Sequence, residues 1–162
     1  MAGRGRTIII IAFFVLSFAH LAVGRKRRHR GPETVFNVLK FGAIEGGTED
    51  CTEAFVNAFI AACKGPQAKG KTRLVVPQGV FLVSASIYQG PCTASSIVVE
   101  ILGTIKADTD ISNYPDNAWL IFDSIDNMLI TGSGRIDGQG EKVWEYNDCK
   151  RNAACTHLPS VS

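Results

Sequence analysis

The sequence has no Cys-x-x-Cys pair, no Asn-x-Ser/Thr sequon, and only three histidines: His20, His29 and His157. The histidines form no cluster along the chain and the cysteines lack zinc-site spacing, so no metal is expected. Without a sequon, ordinary N-glycosylation has no support. Phosphate-binding signatures are also missing. The stretch GSGRIDGQG, residues 132 to 140, packs four glycines around one Arg and one Asp. A dinucleotide fingerprint needs glycine three positions after Gly134, where Asp137 stands. A P-loop needs Gly-Lys-Ser/Thr, and Gly140 is followed by Glu141. No cofactor is expected. The glycines are read as corners between two strands, with Ile130 and Ile136 pointing inward and Asp137 bonding a backbone N–H of the turn.

No apolar run reaches the roughly 20 residues needed to cross a bilayer. What the chain does have at its start is Arg4 and Arg6, a short apolar run from Ile8 to Ala19, and the small residues Ala22-Val23-Gly24. These are the parts of a secretory signal peptide, expected over residues 1–24. The expected product is a secreted, extracellular protein with no membrane segment after signal removal. Residues 25–33 then form a basic segment, opened by Arg25-Lys26-Arg27-Arg28-His29-Arg30. It admits three readings: a solvated disordered terminus, a convertase cleavage site, or a tether to a polyanion. Nucleic acid is a poor candidate for that polyanion, because a secreted chain rarely meets it.

The five cysteines, Cys51, Cys63, Cys92, Cys149 and Cys155, follow a secretory start, so disulfides are the default. An odd count leaves one thiol over. Val35 to Leu39 alternates and reads as a strand. After Gly46-Gly47, Thr48 or Asp50 can cap a helix. Its apolar face is Ala54, Phe55, Ala58, Phe59, Ala62 and Cys63, and it ends near Gly65. From Gly70 on, short apolar runs follow with turn signals between them: Leu74-Val76, Val80-Val83, Ile97-Val99, Ile101-Leu102, Trp119-Phe122 and Met128-Ile130.

Ile101-Leu102-Gly103-Thr104-Ile105 resembles Ile130-Thr131-Gly132 with the nearby Gly134-Arg135-Ile136, and Gly103 and Gly132 lie 29 residues apart. One helix followed by irregularly recurring short strands predicts a solenoid. The expected fold is an all-β solenoid: a right-handed, single-stranded parallel β-helix with an N-terminal cap helix and its first coils. A β-sandwich would need hairpin dipeptides, and Asp137-Gly138 is the lone example of Asn-Gly or Asp-Gly.

Several segments carry a family resemblance. They are Val35-Phe36-Asn37-Val38 through Phe41-Gly42-Ala43, Glu53-Ala54-Phe55 with Ala62-Cys63, and Val76-Pro77-Gln78-Gly79. Gly90-Pro91-Cys92, Ile136-Asp137-Gly138-Gln139-Gly140 and Tyr146-Asn147-Asp148-Cys149 complete the set. In order and spacing this resembles the N-terminal portion of plant-type polygalacturonases, pectinases of glycoside hydrolase family 28. The resemblance covers nearly all of residues 34 to 160, and residues 34–162 are expected to form the N-terminal part of a pectin lyase-like β-helix domain.

The resemblance implies inverting hydrolysis of α-1,4-galacturonosyl linkages in the cell wall, with pectin or polygalacturonate as the partner. It also implies a site built from Asn-Thr-Asp, an Asp-Asp pair, Gly-His-Gly and Arg-Ile-Lys. This sequence contains none of the four. Ile105-Lys106 follows Thr104, and Arg135-Ile136 precedes Asp137. In family members these motifs come after a leucine-proline stretch like Leu158-Pro159. Inversion needs an acid and a base roughly 6.5–9.5 Å apart. Asp108, Asp110, Asp123, Asp126 and Asp137 are read as turn residues instead. No catalytic residue is therefore assigned, and the substrate-binding residues are left open.

Taken alone, the chain is expected to be inactive, the front part of a longer enzyme or a truncated product. The alternative is a secreted, non-catalytic β-helix that binds pectin or a cell-wall protein. Two disulfides are expected: Cys63 with Cys92, tying the cap helix to the first coils, and Cys149 with Cys155 across a local loop. Cys51 stands where the family usually has an acidic or small polar residue, which makes it the candidate free thiol.

Overall fold

The computed structural model describes residues 32–115, 117–155 and 157–161. The apolar leader and the basic run at 25–30 lie outside them. Ten strands are present among the described residues: β1 Glu33–Asn37, β2 Gly70–Val76, β3 Val80–Val83, β4 Ser86–Gln89, β5 Ala94–Ile101, β6 Thr104–Ala107, β7 Ala118–Asp123, β8 Met128–Thr131, β9 Arg135–Asp137 and β10 Ser160–Val161. Helix α1 spans Thr52–Lys64 and the short α2 spans Gly140–Val143.

The strands pair in three all-parallel sheets, ordered β1-β2-β5-β8, β3-β6-β9 and β4-β7-β10. Each coil therefore contributes one strand to each sheet: β2-β3-β4, then β5-β6-β7, then β8-β9-β10. This is a parallel β-helix. Leu74 pairs with Val99 and Val99 with Ile130, so successive coils advance by 25 and then 31 residues (74 to 99, 99 to 130).

Pairing in register stacks like on like inside the coils. Phe36, Leu74, Val99 and Ile130 form one inward column, Phe81, Ile105 and Ile136 another, and Tyr88 and Phe122 a third. Strand residues alternate in and out, so each column is every second residue of its strand. Helix α1 closes the β1 end of the stack. All six residues of its expected apolar face are buried. Phe55 packs on Phe81 with ring centroids 5.9 Å apart, and Phe59 meets the edge of Tyr88 at 5.2 Å. Tyr88 in turn stacks on Phe122 at 4.9 Å. Fully burying one such ring contributes about 1.5–3 kcal/mol relative to leaving it exposed.

Two expectations at the start of the chain change. The first strand stops at Asn37, not Leu39. Asn37 Oδ1 accepts the N–H of Leu39 at 3.0 Å and caps a 3-10 turn over Val38–Phe41, which bends the chain away from the sheet. Asp50 lies one residue before the N-cap of α1, yet its Oδ1 accepts the Thr52 N–H at 2.9 Å and the Thr52 hydroxyl. It satisfies a first-turn donor that has no helical partner.

The glycine stretch is a corner, with a register different from the one its sequence suggests. Glu100 pairs with Thr131 and Thr104 with Arg135, so Gly134, not Gly132, lies beside Gly103. Arg135 N–H donates to Gly103 O at 2.9 Å, and Thr104 N–H donates to Gly79 O at 2.7 Å. Gly79, Gly103 and Gly134 thus stack in a column. A Cβ on Gly103 would collide with the carbonyl oxygens of Pro77 and Gly79, and one on Gly134 with that of Gly103. Close backbone approach, not only left-handed φ, makes glycine necessary here.

Candidate functional site at the long-loop corner

Connections differ sharply between corners. From the first sheet to the second, the chain crosses between Val76 and Val80, Ile101 and Thr104, and Thr131 and Arg135, always within a few residues. From the second sheet to the third it runs from Val83 to Ser86 in the first coil, Ala107 to Ala118 in the next, and Asp137 to Ser160 in the last. The long excursions therefore stack at one corner. Loops on a rigid scaffold are where binding groups gather.

A cleft of about 320 Å³ lies there. Asp108, Ile111, Tyr114 and Trp119 line it from the second coil, and Gly138, Gly140, Val143, Trp144, Leu158 and Pro159 from the third. A second recess of about 280 Å³ shares Ile111, Leu158 and Pro159 with it. That recess adds Asn117, Tyr146, Asp148, Asn152 and His157. Trp119 is buried and its indole Nε1 donates to Val83 O at 2.8 Å, so it forms a fixed wall. Trp144 is 65% exposed, and its ring lies so close to Gly140 that a Cβ there would strike it. Gln139, at φ +50°, donates through Nε2 to Ala107 O and pins the third coil to the second.

The acids of this corner hold turns. Asp108 Oδ1 accepts the N–H of Asp110, and its Oδ2 accepts Asn113 Nδ2 at 2.9 Å. Asp110 Oδ1 accepts the N–H and hydroxyl of Ser112, which hold its carboxyl below the usual range. Asp137 Oδ1 accepts the N–H of Gln139 at 2.9 Å. Asp123 takes Gln89 Nε2 on Oδ2. Asp108, Asp110 and Asp137 hold turns, the role expected from sequence, whereas Asp123 ends the central strand β7 and links it to β4. Tyr114 donates its hydroxyl to Asp108 O at 2.8 Å. Burial, with the nearby Asp108 charge, pushes its phenol up to about 12. The corner can present aromatic faces and a few polar atoms. Asp108, Asp110 and Asp137 are already committed to local hydrogen bonds.

Cys63 and Cys92 are joined, with Cα atoms 4.6 Å apart, and Cys63 is fully buried at the end of α1. Cys149 and Cys155 are joined, with Cα atoms 5.0 Å apart, and Cys155 lines the second recess. Cys51 is free and buried. Its thiol donates to Ile44 O at 3.2 Å and accepts the Ile44 N–H at 3.3 Å, so it serves as the polar clasp of the 44–51 loop. Sequence reading missed Trp144 as a surface group. It also took His157 to be isolated, whereas His157 Nδ1 lies 3.9 Å from Cys149 Sγ. The exposed Trp-x-Tyr at 144–146 was the available signal for the first. The second needed the loop geometry. Among the described residues no helix is long and apolar enough to cross a membrane.

The coils, the cap helix and the glycine corners define a parallel β-helix protein with loops gathered at one corner. Glycosyl hydrolases family 28 matches residues 66–161, and the chain belongs to that family. It is 34% identical over 158 residues to an exopolygalacturonase of Zea mays, covering 96% of this chain and 38% of that protein. It is 43% identical over 120 residues to a polygalacturonase of Malus domestica, covering 74% of this chain and 25% of that protein. The crystal structure of a hyperthermoactive exopolygalacturonase from Thermotoga maritima is similar with a TM-score of 0.57 and 29% identity, over 80% of this chain and 31% of that one. The chain thus spans only about a quarter to two fifths of the length of the relatives it matches.

Proposed function

We propose that the complete protein hydrolyses α-1,4-galacturonosyl linkages of pectin, and that this chain is the capped front of its β-helix. The observation that carries the reading is family membership, joined to parallel coil-on-coil pairing that runs from β1 to β10. Residues 1–24 are proposed as a secretory signal, 25–33 as a basic segment and 34–162 as the β-helix portion. The two disulfides support secretion to the cell wall, an oxidising compartment. Polygalacturonate is the proposed substrate class, by analogy with the names of the relatives.

The residues present here supply the scaffold and the first loops. They do not supply the acid and base of an inverting mechanism, which requires two carboxyls free to act on opposite faces of the sugar. Purified protein of this sequence is therefore expected to release no reducing ends from polygalacturonate above a buffer blank. A longer protein with these residues followed by the four family motifs is expected to release them. Turnover by the shorter chain would overturn the division of labour. A longer protein that binds polygalacturonate without cleaving it would favour a non-catalytic wall-binding β-helix.

A further inference from the structure

The loop between Cys149 and Cys155 has a feature that the other crosslink lacks. Cys149 Sγ, Cys155 Sγ and a ring nitrogen of His157 all lie within 4.8 Å of one another. No other such group of three occurs among the described residues. Both sulfurs are half-buried, His157 is exposed, and residues 150–154 between the cysteines are exposed. The Cys63–Cys92 pair, by contrast, has one sulfur-bearing residue, Cys63, fully buried at the end of α1.

We propose that Cys149, Cys155 and His157 form a thiol-gated site for a Zn2+-class cation: a crosslink when oxidised, and a two-thiolate, one-imidazole chelate once a thiol reductant opens it. The reaction balances. Two equivalents of a monothiol such as glutathione convert the protein disulfide into two cysteine thiols and one external disulfide. Zn2+ then displaces one proton from each thiol, and neutral His157 donates the Nδ1 lone pair. Thiolate and imidazole together select Zn2+ over hard cations such as Mg2+ or Ca2+. With Zn–S near 2.3 Å and Zn–N near 2.0–2.1 Å, tetrahedral ligand atoms sit roughly 3.5–3.8 Å apart. Cys149 Sγ and His157 Nδ1 are already 3.9 Å apart, so mainly the two sulfurs must separate. Asp148, in the recess with His157, adds a negative charge nearby, and a fourth position is left for water.

The test uses the full chain. In a glutathione redox series, differential alkylation should show Cys149 and Cys155 open while Cys63 and Cys92 remain joined. In that half-reduced state, Co2+ serves as the spectroscopic probe. One Co2+ per chain is expected, with thiolate-to-cobalt absorption that Zn2+ bleaches, and none in the oxidised chain. His157→Ala should weaken binding at least tenfold while keeping the thiolate band. The Cys149→Ser, Cys155→Ser double variant should lose the band. His157→Ala keeps the crosslink and carries the test if the serine variant does not fold. The proposal is overturned if the two disulfides open together, if the half-reduced chain binds no Co2+, if His157→Ala binds as tightly as the parent, or if the band survives without Cys149 and Cys155.

Discussion

The two ends of the coil stack obey the same pairing rules and end in opposite ways. At the first, α1 lies across the lumen, Phe59 is 1% exposed, and Cys63–Cys92 ties the cap to the coil beneath. At the other, Ile130 and Ile136 occupy equivalent inward columns yet are each 39% exposed, and the crosslink sits out on a loop. The same kind of side chain thus has different value according to whether a layer covers it. Stability in a solenoid belongs to the stack, with each coil burying its neighbour.

The sharpest way to break the comparison is Phe59→Ala against Ile136→Ala. Losing a buried ring costs about 3–5 kcal/mol, part of it the cavity left behind. Ile136→Ala is expected to cost well under half of that. Denaturant midpoints at constant m-value measure both, and equal losses would mean the far column is as well covered as the capped one.

Next come the crosslinks. Cys63 and Cys92 are 29 residues apart in sequence and Cys149 and Cys155 only 6. In the chain-entropy account, closing the longer loop contributes about 3–4 kcal/mol and the shorter about 2. Paired Cys→Ala variants, compared by urea unfolding, should rank in that order.

Much of the capped end was legible in the sequence because its signals are local. The helical period of Ala54 to Cys63 appears in the chain without knowing what it packs against, and all six residues are buried. Strand β4 was not legible. Ser86 and Tyr88 face inward, and a buried serine looks polar on paper; only the contact between the Ser86 and Tyr88 hydroxyls at 3.3 Å shows why it is tolerated. Strand β5 reads as two runs because Glu100 interrupts it. That residue faces outward and pairs with Arg73 at 3.2 Å, and Arg73 also holds Glu33 at 2.9 Å. Glycine spacing likewise suggested a repeat through Gly132, whereas the register runs through Gly134, because a two-residue shift in a corner leaves no trace in strand composition. The long-loop corner was least legible, since its walls come from segments far apart in sequence.

Alkaline pH probes the lumen directly. Burial pushes the Tyr88 phenol up to about 12 from an ordinary 10.0, despite the Ser86 hydrogen bond. A raised folded-state value means full stabilisation below pH 10, lost as pH rises towards 12. The loss is of the order of 2 kcal/mol. Tyr88→Phe should flatten this decline in pH-dependent melting, and an unchanged alkaline profile in the variant would count against the buried phenol as its source.

The smallest effect is expected at the start of α1. Burial works against the Asp50 charge, but hydrogen bonds from Thr52 and Ser84 prevail and hold its carboxyl below the ordinary 3.8. A lowered value gives stabilisation that is present above pH 3.8 and lost as pH falls through the folded-state value. Asp50→Ala should cost about 1 kcal/mol at neutral pH, in the range of a lost helix-capping side chain. The difference from the parent should vanish in strong acid, as read by thermal melts across pH.

The glycine column and the long-loop corner together make the molecule asymmetric as an engineering scaffold. One edge of each coil is a fixed joint: Gly79, Gly103 and Gly134 touch backbone to backbone, so a residue added there would disturb every layer above and below it. The other edge already takes up most of the variation in coil length, from Val83–Ser86 to Asp137–Ser160, while β6 and β9 just before it stay in register. New sequence grafted into residues 108–117 or 138–159 would change what the surface presents while leaving the spine intact.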